Sequence, residues 1–382
     1  MKLRNNYGIT LVALAITITI LILLAGVSVN MLLGENGIIL KAKNAISKTK
    51  ESQNIEKLEL ESSNDQITSS ITGTKIIEGA PIPEGFYYVG GIRGKGVVIS
   101  DSEEDNEKYK YQENVGSNLI GNQWVWVPVE EPSKLFISVQ EGINLLGQDN
   151  VKTYAYSNKI INYFNSDKEV PGSNGLREPD IVKDYDNEEN IKEAGFTSVE
   201  EMAKYIVEEY SKMKESIEKY NGFFIGRYEL TDNGEKKGTP ITGNGWHKAY
   251  KECKGLYESD YATSSMIWGI QWDATCQWLE KSGYDINDSS NWGNYSNNTS
   301  EGAGTLQDTG YSESWKANNI YDLAGNCYEI TQEASGDEYG RCIRGGYCSY
   351  SGKIKSVTEL FVSLRPSWVS YNFVATRAIL II

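Results

Sequence analysis

Histidine is almost missing from the 382 residues: His247 stands alone. That excludes any site built on two or more imidazoles, such as a three-histidine zinc or a paired-histidine di-metal centre. Five cysteines (253, 276, 327, 342 and 348) contain no Cys-x-x-Cys pair, which removes the zinc ribbon and the thioredoxin-type motif. No Gly-x-Ser-x-Gly elbow accompanies His247, so a base-activated nucleophile has no visible partner, and His247 reads as a surface or satisfied residue. Positive charge is short: 37 Lys and Arg against 52 Asp and Glu leave a net charge of −15. A nucleic-acid surface needs a basic patch, so nucleic acid is excluded as a partner. No repeat of solenoid length is visible. Phenylalanine is scarce (8) beside tyrosine (25) and tryptophan (9). Rings with a polar handle suit half-wet surfaces and binding sites. The hydrophobic fraction of 40% still supplies a sizeable core.

Ile9 to Leu33 carries no charged residue. As a helix of about 25 residues at ~1.5 Å rise it exceeds a ~30 Å hydrocarbon core. Lys2 and Arg4 precede it and the next positive charge is Lys41, which keeps the N-terminus in the cytoplasm and places the rest outside. A simple secretory signal has a shorter apolar region, so membrane lipid is the expected partner of residues 9–33. The run Tyr7-Gly8-Ile9-Thr10-Leu11-Val12-Ala13-Leu14 resembles the prepilin-type N-terminus of type IV pilins and pseudopilins. The resemblance implies cleavage between Gly8 and Ile9 by a prepilin peptidase. The family's glutamate at the fifth mature position is Ala13 here, which favours a membrane-anchored, pilin-like protein over a filament subunit.

Residues 34–72 read as a polar helical stem and linker, with a break at Gly34–Gly37 and the linker over Ser62 to Gly73. Residues 73–382 read as short strands in a loop-rich domain. Gly85–Gly91 and Gly96–Ser100 suggest a hairpin, Asp101–Glu107 a solvated acidic turn, and Trp124–Val129 a strand ended by Pro128. Asn165–Asn190 is expected as an exposed excursion. Ser198 and Glu201 form a capping box before the apolar stripe Met202, Ile206, Tyr210, Met213, Ile217 and Tyr220, and Asn221-Gly222 stops that helix. Phe223–Glu229 is a strand, and shorter helices are expected over Lys248–Tyr257 and Gln271–Lys281.

Five blocks occur in the order seen in the formylglycine-generating-enzyme-like, or sulfatase-modifying-factor, family. They are Trp124–Val129, Gly222–Glu229, Gln271–Leu279, Ile320–Glu329 and Arg341–Tyr347, followed by the closing run Ala375–Leu380. The resemblance implies a C-type-lectin-like fold with small sheets, two helices and termini meeting in one strand pair. The fold class expected is therefore α+β: an N-terminal transmembrane pilin-like helix plus a loop-rich C-type-lectin-like domain.

Asp322 and Glu329 flank a Gly that permits a tight turn, and an all-oxygen set of this kind suits a hard cation. The resemblance places a Ca²⁺ here, on the side chains of Asp322 and Glu329 and the carbonyls of Gly325 and Cys327. The alternative is that Asp322 caps the turn and Glu329 pairs with an arginine such as Arg344. The family's copper-holding thiol pair is not matched, since Cys348 stands alone after the Arg-Gly-Gly turn and Cys342 lies before it, so no catalytic residue is expected.

Binding remains. Tyr347, Tyr350, Trp368, Tyr371 and Phe373, interleaved with Ser, Asn and Gly, have the composition of a recognition surface. Residues 344–377 also resemble the variable regions of diversity-generating-retroelement target proteins. Tyr347, Tyr350, Trp368 and Tyr371 are the expected contacts to an extracellular protein or glycan. An extracytoplasmic oxidase or transferase and a structural minor pilin are the competing readings.

Overall fold

The apolar spacing along the chain resolves, among the described residues of a computed structural model, into a six-stranded and a four-stranded sheet, two two-stranded ribbons and four main helices. The structure describes residues 15–25, 38–136, 188–334, 341–358, 360–362 and 372–382. Gly8, Ile9, Trp368, Tyr371 and most of the excursion expected at 165–190 lie outside the described residues. Residues 15–25 are helical, and the rest of the apolar run from Ile9 to Leu33 lies outside them. Among the described residues no helix is long and apolar enough to cross a membrane.

The chain divides into two compact units, Met1–Ile67 and Thr68–Ile382. Helix α1, Ile38–Thr72, runs through the division without a break. This corrects the linker expected over Ser62 to Gly73. Its Ser and Thr residues hydrogen-bond back to the carbonyl one turn earlier, Ser63 to Glu59 at 2.9 Å and Thr72 to Thr68 at 2.8 Å, so a polar composition is compatible with helix. The end comes at Gly73, with φ of 72°.

In the second unit β1 (Lys75–Ile77) and β2 (Ala80–Ile82) form a hairpin. A six-stranded antiparallel sheet follows. Its strands are β3 (Tyr87–Gly90), β4 (Val98–Ser100), β5 (Gln123–Pro128), β6 (Gly222–Gly226), β7 (Thr263–Met266) and β14 (Ala378–Ile381), in the order β3-β4-β5-β6-β14-β7. The hairpin at β3–β4 and the strand at β5 are where the alternation placed them. The C-terminal strand β14 lies between β6 and β7, so the expected pairing of the two termini in one strand pair is not found. β8 (Lys316–Ala317) and β9 (Ile320–Tyr321) form a short ribbon. The second sheet has the order β12-β11-β10-β13, from Leu360–Val362, Arg341–Arg344, Tyr328–Ala334 and Val374–Thr376, with β10 and β13 parallel.

Helix α2, Val199–Tyr220, begins where Ser198 accepts a hydrogen bond from the Glu201 amide and ends at Asn221 in the left-handed region. Five of its six stripe residues are buried and Tyr210 is partly so. Helices α3 (Trp246–Lys254) and α4 (Gly269–Lys281) complete the core, where Trp124, Trp246, Trp268 and Trp272 are fully enclosed. Each such side chain contributes about 2–3 kcal/mol of transfer free energy. His247 is buried on α3. The acidic turn is not fully solvated: Asp105 is buried and accepts from the Ser100 hydroxyl and the Ile120 and Gly121 amides, holding the β4–β5 connection.

Candidate functional site

Thr376-Arg377-Ala378 is where the chain leaves β13 of the small sheet and enters β14 of the large one. Arg377 is fully buried there. Its Nε and Nη2 donate to Glu329 at 2.9 and 2.6 Å, Nη1 to the Gly226 carbonyl at 3.0 Å, and Nη2 also to the Tyr321 carbonyl at 2.9 Å. One guanidinium thus joins β6, β9, β10 and the β13–β14 crossing, using the planar fork that a lysine lacks.

Three further buried carboxylates surround this pair. Glu229 accepts from the Asn326 side chain at 2.6 Å and the Cys327 amide at 3.0 Å. Asp322 accepts from the Gly310 amide at 2.7 Å and the Thr309 hydroxyl at 3.1 Å. Glu235 accepts from the Ala378 amide at 2.8 Å. The backbone that brings them together is forced through left-handed turns at Asn318, Asn319, Asp322, Gly325 and Asn326. Asn and Asp tolerate that region better than other side chains. Gly325 has no substitute: a Cβ there would stand 2.1 Å from the Asn294 carbonyl oxygen. Burial pushes Glu235 up to about 8 and Asp322 up to about 6. Glu229 is raised well above the usual range by burial and then by the charges of Asp322 and Glu329. Burial also raises Glu329, against the opposing pull of Arg377.

The Ca²⁺ expectation meets this geometry directly. Glu329 presents both oxygens to Arg377, so a guanidinium already stands where a cation on Glu329 would sit. One oxygen of Asp322 holds the turn at Gly310, which is the capping alternative, and the arginine on Glu329 is Arg377 rather than Arg344. Arg344 pairs instead with Asp273 of α4 at 3.2 Å. Among the described residues no three His, Cys, Asp or Glu side chains converge to hold a metal ion. This geometry favours the capping alternative over a Ca²⁺ on Asp322, Gly325, Cys327 and Glu329, with Asp322 Oδ1 left buried without a protein hydrogen bond among the described residues. Adding Ca²⁺ to chelator-treated protein is expected to move the unfolding temperature by less than about 1 °C, because only a ligand bound to the native state raises it; a clear rise would reinstate the metal.

The aromatic residues gather on the small sheet. Tyr328 on β10, Ile343 on β11 and Val374 on β13 form a buried base, with Tyr347 and Phe373 packed over it. The rings of Tyr347 and Phe373 lie 5.0 Å apart, Tyr328 and Tyr347 stack at 6.2 Å, and Tyr350 meets Tyr347 edge-on at 6.3 Å. Gly345 and Gly346, at φ of 90° and 81°, turn the chain from β11 onto this face. Tyr350 is 46% exposed. Tyr347 and Phe373 are half-buried, and Ser349 and Asn372 beside them are exposed. Two of the four expected contacts, Tyr347 and Tyr350, are thus brought together. Phe373, read from the sequence as part of the same face, joins them; sequence reasoning did not assign Tyr328 to the cluster, and it missed Arg377, Glu229 and Glu235 as a unit. Arg377 and Glu229 lie in blocks that carry the family resemblance, which was the available signal.

No protein-family model matches the chain, and no curated protein matches it. Among solved structures, Treponema denticola variable protein 1 aligns with 15% identity over 70% of this chain and 90% of its own length, with a TM-score of 0.25. A superposition that loose does not establish a shared fold.

Proposed function

We propose that this chain is a membrane-anchored, pilin-like surface protein whose lectin-like head recognises an extracellular protein or glycan through the face around Tyr347 and Tyr350. The observation that carries the reading is the ring cluster itself. Tyr350, Tyr347 and Phe373 project in graded exposure from a buried base, beside small polar residues. Rigid rings offer contact area at low entropy cost, and small polar neighbours adapt hydrogen bonds to a partner. The Tyr, Cys and Ser composition of residues 347–351 also agrees with a variable display segment. The anchor rests on the uncharged run from Ile9 to Leu33 behind Lys2 and Arg4, processed at Gly8 and Ile9 by a prepilin peptidase. The head acts by binding, without group transfer.

The test is capture of the detergent-solubilised full chain on arrays of immobilised glycans and of immobilised extracellular proteins. At least one ligand class is expected to retain the wild type and to lose about tenfold or more in affinity, about 1.4 kcal/mol, with Tyr350→Ser together with Tyr347→Ser. Equal retention of wild type and variant by every captured ligand would remove the assignment. Protease added to intact cells should digest the head; protection until lysis would contradict the anchor's orientation.

A further inference from the structure

The proposed function makes no use of the sulfur chemistry of the five cysteines, all of which are buried. Two of them, Cys327 and Cys348, are linked through the backbone. The Gly325 amide donates to the Gly345 carbonyl at 2.7 Å, and the Cys348 amide donates to the Asn326 carbonyl at 3.2 Å. The second bond runs to the carbonyl immediately before Cys327, so the covalent geometry of the two peptides keeps the Cα atoms of Cys327 and Cys348 within about 7 Å of each other. A disulfide spans Cα separations of about 4.4–6.8 Å. The Cys327 thiol lies against Glu229 and within range of the Cys348 charge, and the Cys348 thiol meets Tyr347. Elsewhere the sulfur of Cys253 faces the Thr376 hydroxyl at 3.6 Å, and that of Cys276 the Val357 carbonyl at 4.0 Å.

We propose that Cys327 and Cys348 are a disulfide site, oxidised as the protein folds in an oxidising compartment. The oxidant is a small-molecule or protein disulfide. One cysteine thiolate attacks it and releases the first donor thiolate. The second cysteine then attacks the resulting mixed disulfide and releases the other. Two protein thiols are oxidised, one donor disulfide is reduced to two thiols, and the two protons pass to solvent or to the released thiolates. Exchange belongs to the folding chain rather than the finished one. In the native state burial pushes both thiols up, Cys348 to about 11, and encloses their sulfurs. The bond ties the segment carrying Tyr347 and Tyr350 to the turn that supports Asn326 and Glu229. Its formation in the cell rests on the proposed extracytoplasmic placement of the head; the geometry of the pair does not.

The test refolds the reduced full chain in detergent with a mixture of oxidised and reduced glutathione, followed by thiol counting and peptide mass mapping. Free thiols should fall from five to three, with a crosslinked peptide joining Cys327 to Cys348. Cys348→Ser should refold with four free thiols and no crosslink, and Cys342→Ser should keep the crosslink. Five free thiols in a natively folded product, or a crosslink between any other pair, would overturn the proposal. A pair that closes in the refolding mixture but is wholly reduced in protein taken from cells would contradict the placement and leave the pair standing.

Discussion

Arg377→Met is expected to abolish cooperative unfolding of the head at neutral pH. The guanidinium donates the hydrogen bonds that hold the Glu329 carboxylate, and it also supports the Gly226 and Tyr321 carbonyls. Methionine fills similar volume but leaves Glu329 buried beside Asp322 and Glu229 with no counter-charge. Removing one partner of a buried ion pair costs about 3–5 kcal/mol. Here several carboxylates lose the same partner, and a native protein has only about 5–15 kcal/mol to lose. Lysine keeps the charge but not the fork, so Arg377→Lys should be intermediate. Lowering the pH to about 5 should partly restore the methionine variant, because protonated carboxyls no longer repel. Differential scanning calorimetry reads all three outcomes. A methionine variant that melts like the wild type would show that the ion pair does not hold the two sheets together.

The wild type should be more stable at pH 5 than at pH 8.5. Glu235 titrates in the folded state at about 8 against an ordinary 4.5, because burial disfavours its charged form. The native protein therefore holds a proton that the unfolded chain has released between those values, and stability falls as pH rises through that window. Asp322, raised from 3.8 to about 6, and Glu229 act in the same direction. Glu201, Asp288 and Glu313 have lowered carboxyls and act oppositely, with their stabilisation lost only as pH falls below about 4. The net effect from Glu235 alone is on the order of a few kcal/mol across the window. Glu235→Gln keeps an oxygen for the Ala378 amide and removes the proton, so its stability should be much flatter between pH 6 and 8.5. Stability of the wild type that rises with pH over that range would contradict the assignment.

Local order was legible where a single periodicity decides it. The stripe from Met202 to Tyr220 with its Ser198 cap, the β3–β4 hairpin and the strand ending at Pro128 each depend on neighbours within a few residues. The stem was misread over 62–73 because Ser and Thr look like a linker until their hydroxyls are seen bonding back along the helix. The acidic turn misled in the same way, since nothing local shows that Asp105 alone turns inward. The ion cluster was out of reach for a different reason. Glu229, Glu329 and Arg377 are far apart in the chain, and only sheet order, with β14 inserted between β6 and β7, brings the two sheets onto one guanidinium. The aromatic face was half legible: composition marked Tyr347 and Tyr350, while Tyr328 reaches it through the parallel register of Tyr328 with Val374.

A division of labour follows, with the buried charges holding the fold and the rings facing outward to a partner. Calorimetry of a protein with Tyr347, Tyr350 and Phe373 all changed to serine tests it most directly. An unfolding temperature within about 5 °C of the wild type is expected, since half-exposed rings contribute little beyond their covered area. A head that no longer unfolds cooperatively would show that these rings are core, and the binding face would have to be sought elsewhere.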